Sequence, residues 1–196
     1  MVFSGIDCVL NDEPAIYCSS ELTTGARLYE AFREHKVKTR DELKEKLGKP
    51  WFGANIFDTN VKLGKEFARC VRNRLTDKTI VITPGPFAAP TRENWDQREY
   101  LFFWEELLRS PRIKSTCFNQ NWQFSDGCTF EFAVAVDKSI PTLDHNGESL
   151  DLDEGIRLIE SAIQQLDIDG FDASRLRESL KRLHAIRSQV SVLSPA

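Results

Sequence analysis

An α/β sandwich with a mainly parallel sheet, closed by a C-terminal helical hairpin, is the fold class this sequence predicts. Three observations carry the prediction. Residues 79–83, Thr-Ile-Val-Ile-Thr, form an unbroken β-branched run bounded by Pro84-Gly85-Pro86. Such a run suits a strand covered on both faces, as in a parallel sheet. Short apolar runs alternate with stretches of helical spacing through residues 1–148, which is the pattern of strands joined by helical crossovers. Residues 149–196 carry only helical periodicity, so they are expected to form a separate hairpin, packed on the α/β domain or at a subunit interface.

The elements follow in order. Residues 1–13 read as an irregular lead-in, and residues 15–19 as the first strand. The loop over residues 19–25 is rich in Ser, Thr and Gly. A loop of that kind either presents hydroxyls and N–H groups to a phosphate or is an ordinary strand-to-helix turn. Residues 26–36 have helical spacing, with Leu28, Ala31 and Phe32 on one side. Thr39 followed by Glu42 predicts a capping box at the start of a second helix, stopped by Gly48-Lys49-Pro50. Residues 51–57 are aromatic and aperiodic, and read either as a lid over a ring or as a loop packed on the core.

Residues 61–75 form the next predicted helix, with Val61, Phe67, Ala68, Val71 and Leu75 available for burial. The strand over residues 79–83 leads into a proline-rich loop through 87–91 and then a helix over 94–109, with an apolar stripe of Tyr100, Phe103, Trp104, Leu107 and Leu108. Residues 113–118 are the third strand; residues 139–143, which include Pro141, are a short edge strand. In the tail, residues 153–166 are amphipathic through Ile156, Ile159, Ile163 and Leu166. Asp172 caps a last helix using Leu176, Leu180, Leu183, Ile186 and Val190.

Composition narrows the function. The chain has 196 residues, 41% of them hydrophobic, a formal net charge of -4, and no apolar run long enough to span a membrane. Neither a membrane nor a nucleic-acid partner is expected, since the latter needs a basic surface. Nothing at the start reads as a leader, and the five cysteines are odd in number with no C-x-x-C spacing, so a cytoplasmic, reduced protein is expected. The three histidines stand far apart and none neighbours a cysteine, so no metal is expected.

One acidic residue stands out. Glu131 is flanked by Phe130, Phe132, Ala133 and Val134. A carboxylate there either faces solvent from a strand or helix, or is buried at a cost that chemistry justifies. Local composition over residues 129–136 favours a strand. Parallel sheets bind ligands beyond the carboxyl ends of their strands, so Ser19, Pro84 and residues 119–125 are expected to converge.

Three segments together resemble the nucleoside 2-deoxyribosyltransferase-like superfamily: Ala15-Ile16-Tyr17-Cys18-Ser19-Ser20, Val81-Ile82-Thr83-Pro84, and Trp122-x-x-Ser125-x-Gly127-x-x-x-Glu131-x-x-x-Ala135. The resemblance spans residues 15–143 and leaves the tail unexplained. It implies a flavodoxin- or Rossmann-like three-layer sandwich, with Glu131 near the start of a helix as nucleophile at the anomeric carbon and Tyr17 holding it. Ser19, Ser20, Pro84, Trp122, Ser125 and Gly127 would bind substrate, with no cofactor. Transferases of this group that act on free nucleosides usually carry Asp where this chain has Ser125; members that hydrolyse nucleoside 5'-monophosphates carry Ser and use it on the phosphate. The family acid falls by position near Trp104-Glu105-Glu106, which makes Glu105 the expected proton donor.

The implied activity is hydrolysis of the base–sugar bond of a nucleoside or 2'-deoxynucleoside 5'-monophosphate. The alternatives are base exchange, a non-catalytic nucleotide-binding module and NAD glycohydrolysis. A homo-oligomer, most simply a dimer, is expected from the aromatic helix over residues 94–109, from the apolar stripes of the tail and from the resemblance.

Overall fold

A computed structural model describes residues 13–85 and 97–193. The expected lead-in over residues 1–12, the loop over 87–91, the first residues of the helix expected from 94, and the side chains of Tyr100 and Val190 lie outside that description. The strands are β1 (Ala15–Ser19), β2 (Ile80–Ile82), β3 (Ile113–Phe118) and β4 (Thr142–Leu143). They form one sheet in the order β2-β1-β3-β4, and every pairing is parallel. The helices are α1 (Ala26–His35), α2 (Arg40–Leu47), α3 (Asp58–Arg74), α4 (Gln97–Arg109), α5 (Asp126–Asp137), α6 (Leu152–Asp169) and α7 (Ser174–Leu193). The predicted α/β class, a flavodoxin- or Rossmann-like sandwich, is the observed one.

Strand side chains alternate between the two faces. Ala15 and Tyr17 pack against Phe103, Trp104, Leu107 and Leu108 of α4. Ile16 and Cys18 pack against Phe67 and Val71 of α3. The chain leaves β1 toward β2 on one side, then returns past β1 to place β3 and β4 on the other. The order therefore reverses between β1 and β3, which is where such sheets open a crevice.

Two segments differ from the sequence reading. Residues 51–57 are helical: a turn over Lys49–Phe52 passes through a π turn at Gly53–Phe57 straight into α3, so the helix expected from 61 begins at Asp58. Residues 129–136 are not strand but the body of α5. An apolar sequence without helical periodicity is what a helix buried all round requires. One side of α5 meets the α4 layer through Val134, and another meets the hairpin through Phe132 and Ala133.

The hairpin packs on its own chain. Ile156, Ile159, Leu166, Leu176 and Leu183 share one buried cluster with Phe132, Trp122 and Phe118. Gly155 permits the closest approach: a Cβ there would overlap the ring of Phe132. Much of the tail stripes that suggested a dimer is thus covered internally, with Leu180 and Ile186 half-buried, and Phe103 and Trp104 of α4 are buried as well. Among the described residues, the exposed large apolar side chains are Leu63, Phe102 and Ile168.

Candidate active site

The carboxyl ends of β1 and β3 face the N-terminus of α5, and the chemistry gathers there. Tyr17 and Ser19, two apart on β1, project from the same face of the sheet. Their hydroxyls donate to the two oxygens of Glu131, Tyr17 to Oε1 at 2.7 Å and Ser19 to Oε2 at 2.5 Å. Glu131 is 5% exposed, which excludes the solvent-facing reading of this residue. Burial is the first cause pushing its carboxyl up, to about 7; the Ser19 and then the Tyr17 hydrogen bonds hold it down from a higher value. Burial also raises the Tyr17 phenol well above its usual range, with Glu131 adding to the effect, so Tyr17 stays protonated and keeps donating.

Tyr17→Phe removes one of the two donors while leaving the ring in place. A hydrogen bond to a charged group contributes about 1.5 kcal/mol or more, so the Glu131 midpoint is expected to rise by roughly one pH unit. Carbon NMR of labelled Glu carboxyls would read it, and an unmoved midpoint would show that Tyr17 does not support the charge.

Ser125 is the N-cap of α5, and its hydroxyl accepts from the Cys128 N–H at 3.5 Å. The loop after β1 is tied to this cap: the Thr24 and Ser125 hydroxyls lie 3.2 Å apart, and the Asp126 N–H donates to Thr24 Oγ1 at 3.2 Å. At the other end of the loop, Glu21 accepts from the Ala26 N–H and closes the start of α1; Gly25, at φ 118°, makes the bend that allows it.

A cavity of about 350 Å³ opens above this arrangement. Of the residues expected to form the site, Glu131, Ser20, Pro84, Ser125 and Gly127 line it. Tyr17 and Ser19 are fully buried and reach the cavity only through Glu131. Two expectations are corrected. Trp122 is buried in the hairpin-side core, its ring 4.7 Å from that of Phe132 and 5.0 Å from that of Phe118, so it packs rather than binds substrate. Glu105 does not line the cavity; it pairs with Arg109 at 2.9 Å and Arg182 at 3.4 Å. The side of α4 turned to the cavity presents Leu101 and Trp104, and one further residue along the helix turns about 100° away.

Sequence reasoning missed several lining residues. Thr24 and Asp126 had a signal, since both stand in the hydroxyl- and glycine-rich turns already singled out. Phe57 ends the aromatic stretch over residues 51–57 that reads either as a lid over a ring or as core packing, whereas Arg40 had no signal and reaches the crevice only through the fold. Asp126 is a second cavity carboxyl, pushed up by burial and held back by Arg40 and Arg175. No His, Cys, Asp and Glu grouping among the described residues could hold a metal ion, and none of their helices is long and apolar enough to cross a membrane. No family model, curated protein or solved structure matches the chain.

Proposed function

We propose that this chain is an N-glycosidase that hydrolyses the base–sugar bond of a nucleoside or 2'-deoxynucleoside 5'-monophosphate. The observation that supports it best is the buried Glu131, fixed through both oxygens at a cavity formed where the strand order reverses. A glycosidic carbon passes through an oxocarbenium-like state, and a pre-positioned carboxylate stabilises or traps it. In this reading a Glu131 oxygen bonds to C1' as the C1'–N bond breaks, and the electron pair leaves with the base. Glu105 is turned away, so water delivers the proton the base takes up. A second water then attacks C1', its proton neutralising the hydroxide left by the first, and the ester bond to Glu131 breaks to give the free sugar phosphate and restore the carboxylate.

Incubation with a panel of ribo- and deoxyribonucleoside 5'-monophosphates, followed by chromatography for free base, tests the reading. Release of base from one or more is expected; no release from any would overturn it. Adding a second free base distinguishes hydrolysis from exchange, because exchange forms a new nucleotide.

Ser125→Asp is the matching prediction for the phosphate. Asp caps a helix about as well as Ser, so the fold is retained, while a carboxylate now meets the phosphate at a buried position. Calorimetry is expected to show affinity falling more for a monophosphate than for its nucleoside. Equal losses would separate Ser125 from phosphate recognition.

A further inference from the structure

We propose that Arg40 selects the phosphorylated substrate, its guanidinium taking the 5'-phosphate against the N-terminus of α5. The inference rests on the monophosphate reading above and names the group that supplies its charge. Arg40 lines the cavity beside Thr24, Ser125, Asp126 and Gly127, and is the one cation among the described lining residues. It makes no hydrogen bond or ion pair with any described residue, whereas the nearby cations are engaged: Arg175 with Glu178 at 2.9 Å, and Arg182 with Glu105 and with Asp137 at 3.1 Å.

Its position is built rather than incidental. Arg40 is the first residue of α2, whose N-cap Thr39 accepts from the Glu42 N–H at 3.1 Å while the Glu42 carboxylate accepts from the Lys38 N–H at 2.8 Å. This reciprocal cap fixes where the Arg40 side chain leaves the backbone.

The opposing surface suits an oxyanion. A Cβ at Gly127 would meet nothing within 4 Å, so the first turn of α5 is open to a ligand. The dipole of α5 favours negative charge there. Ser20 contributes to the same cavity wall, with its Oγ turned in against Gly64 of α3. Asp126 is the counterweight. Its carboxylate lines the cavity and repels a phosphate, and among the neighbouring charges Arg40 eases it most. A guanidinium with five donors can serve both groups where an ammonium could serve one well.

Ribose 5-phosphate is the suitable probe, because it is common to every base the substrate could carry. Calorimetry on the full chain would compare wild type with Arg40→Ala, Arg40→Lys and Asp126→Asn, with melting temperatures as the control for folding. Loss of a charge-assisted hydrogen-bonding group is expected to weaken binding about tenfold or more in Arg40→Ala, at unchanged melting temperature. Arg40→Lys should recover part of the loss, and Asp126→Asn should bind more tightly than wild type. Wild-type affinity in Arg40→Ala would overturn the Arg40 assignment and leave the monophosphate reading standing. Failure of the wild type to bind any sugar phosphate, together with no base release in the nucleotide panel, would overturn both.

Discussion

Glu131→Gln is expected to reduce base release by at least about a thousandfold while raising the melting temperature above neutral pH. The amide is nearly isosteric with the carboxylate. It can accept from Tyr17 and donate to Ser19, so the two hydroxyls now spent on Glu131 keep partners. It cannot supply the negative charge that stabilises or traps the sugar cation, and loss of a nucleophile costs several powers of ten. Wild-type turnover in this variant would end the assignment of Glu131 as nucleophile.

The stability half of the prediction follows from the direction of the shift. The Glu131 carboxyl lies at about 7 in the fold against an ordinary value of 4.5. Between those values the folded chain holds a proton that the unfolded chain has released, so stability falls as pH rises through the window. The contribution is intact below 4.5 and gone above about 7, a difference of about 3 kcal/mol from a shift of this size. Gln does not titrate, so the variant should gain on the wild type as pH rises and hold that gain at pH values above about 7. Glu21 is raised to about 7 by burial in both proteins and cancels from the comparison. The same titration gives base release an ascending limb with its midpoint near 7, since the carboxylate is the reactive form. A melting-temperature difference between the proteins that does not change with pH would show that Glu131 is not the titrating group.

Sequence and fold agree where burial leaves a periodic trace. The strand β2 was legible because all three of its residues are β-branched and apolar, and β3 because a short run ending in the buried Thr116, Cys117 and Phe118 stands between helical stretches. The stripes of α6 were legible because one face meets a core and the other meets solvent. The helix α5 was not, because packing on several sides erases the alternation that distinguishes helix from strand. The motif from Trp122 to Glu131 marked the right segment but mixed two roles. Its Ser125, Gly127 and Glu131 line the cavity, while its Trp122 packs with Phe118 and Phe132 on the side that receives the hairpin. Glu105 failed by rotation: the neighbouring Trp104 faces the cavity and the carboxylate beside it reaches Arg182 of the hairpin instead. Arg40 could not be found from spacing, since it lies 85 residues before Ser125 and meets it only through the fold.

Leu183→Asp is expected to unfold the α/β domain together with the hairpin. Leu183 is fully buried in the cluster that joins α6 and α7 to Phe132, Trp122 and Phe118. Replacing it removes the apolar contacts of a core leucine, which cost about 2–5 kcal/mol when truncated, and leaves an unpaired carboxylate in their place. Domains of ordinary stability hold only about 5–15 kcal/mol in total. The melting temperature should therefore fall by about 10 °C or more, if any folded state survives at all. Ile168→Asp is the control on the same hairpin: at 79% exposure its side chain should tolerate the charge with little change. What makes the outcome informative is α5, which carries Glu131 and has its Phe132 and Ala133 packed against the hairpin. If the tail were an appendage, Leu183→Asp would melt α6 and α7 and leave a folded sheet whose buried Tyr17 and Trp104, 5.7 Å apart, keep their near-ultraviolet dichroism. Because the hairpin supplies one wall of the helix that bears Glu131, that signal and the cavity are expected to disappear in the same transition.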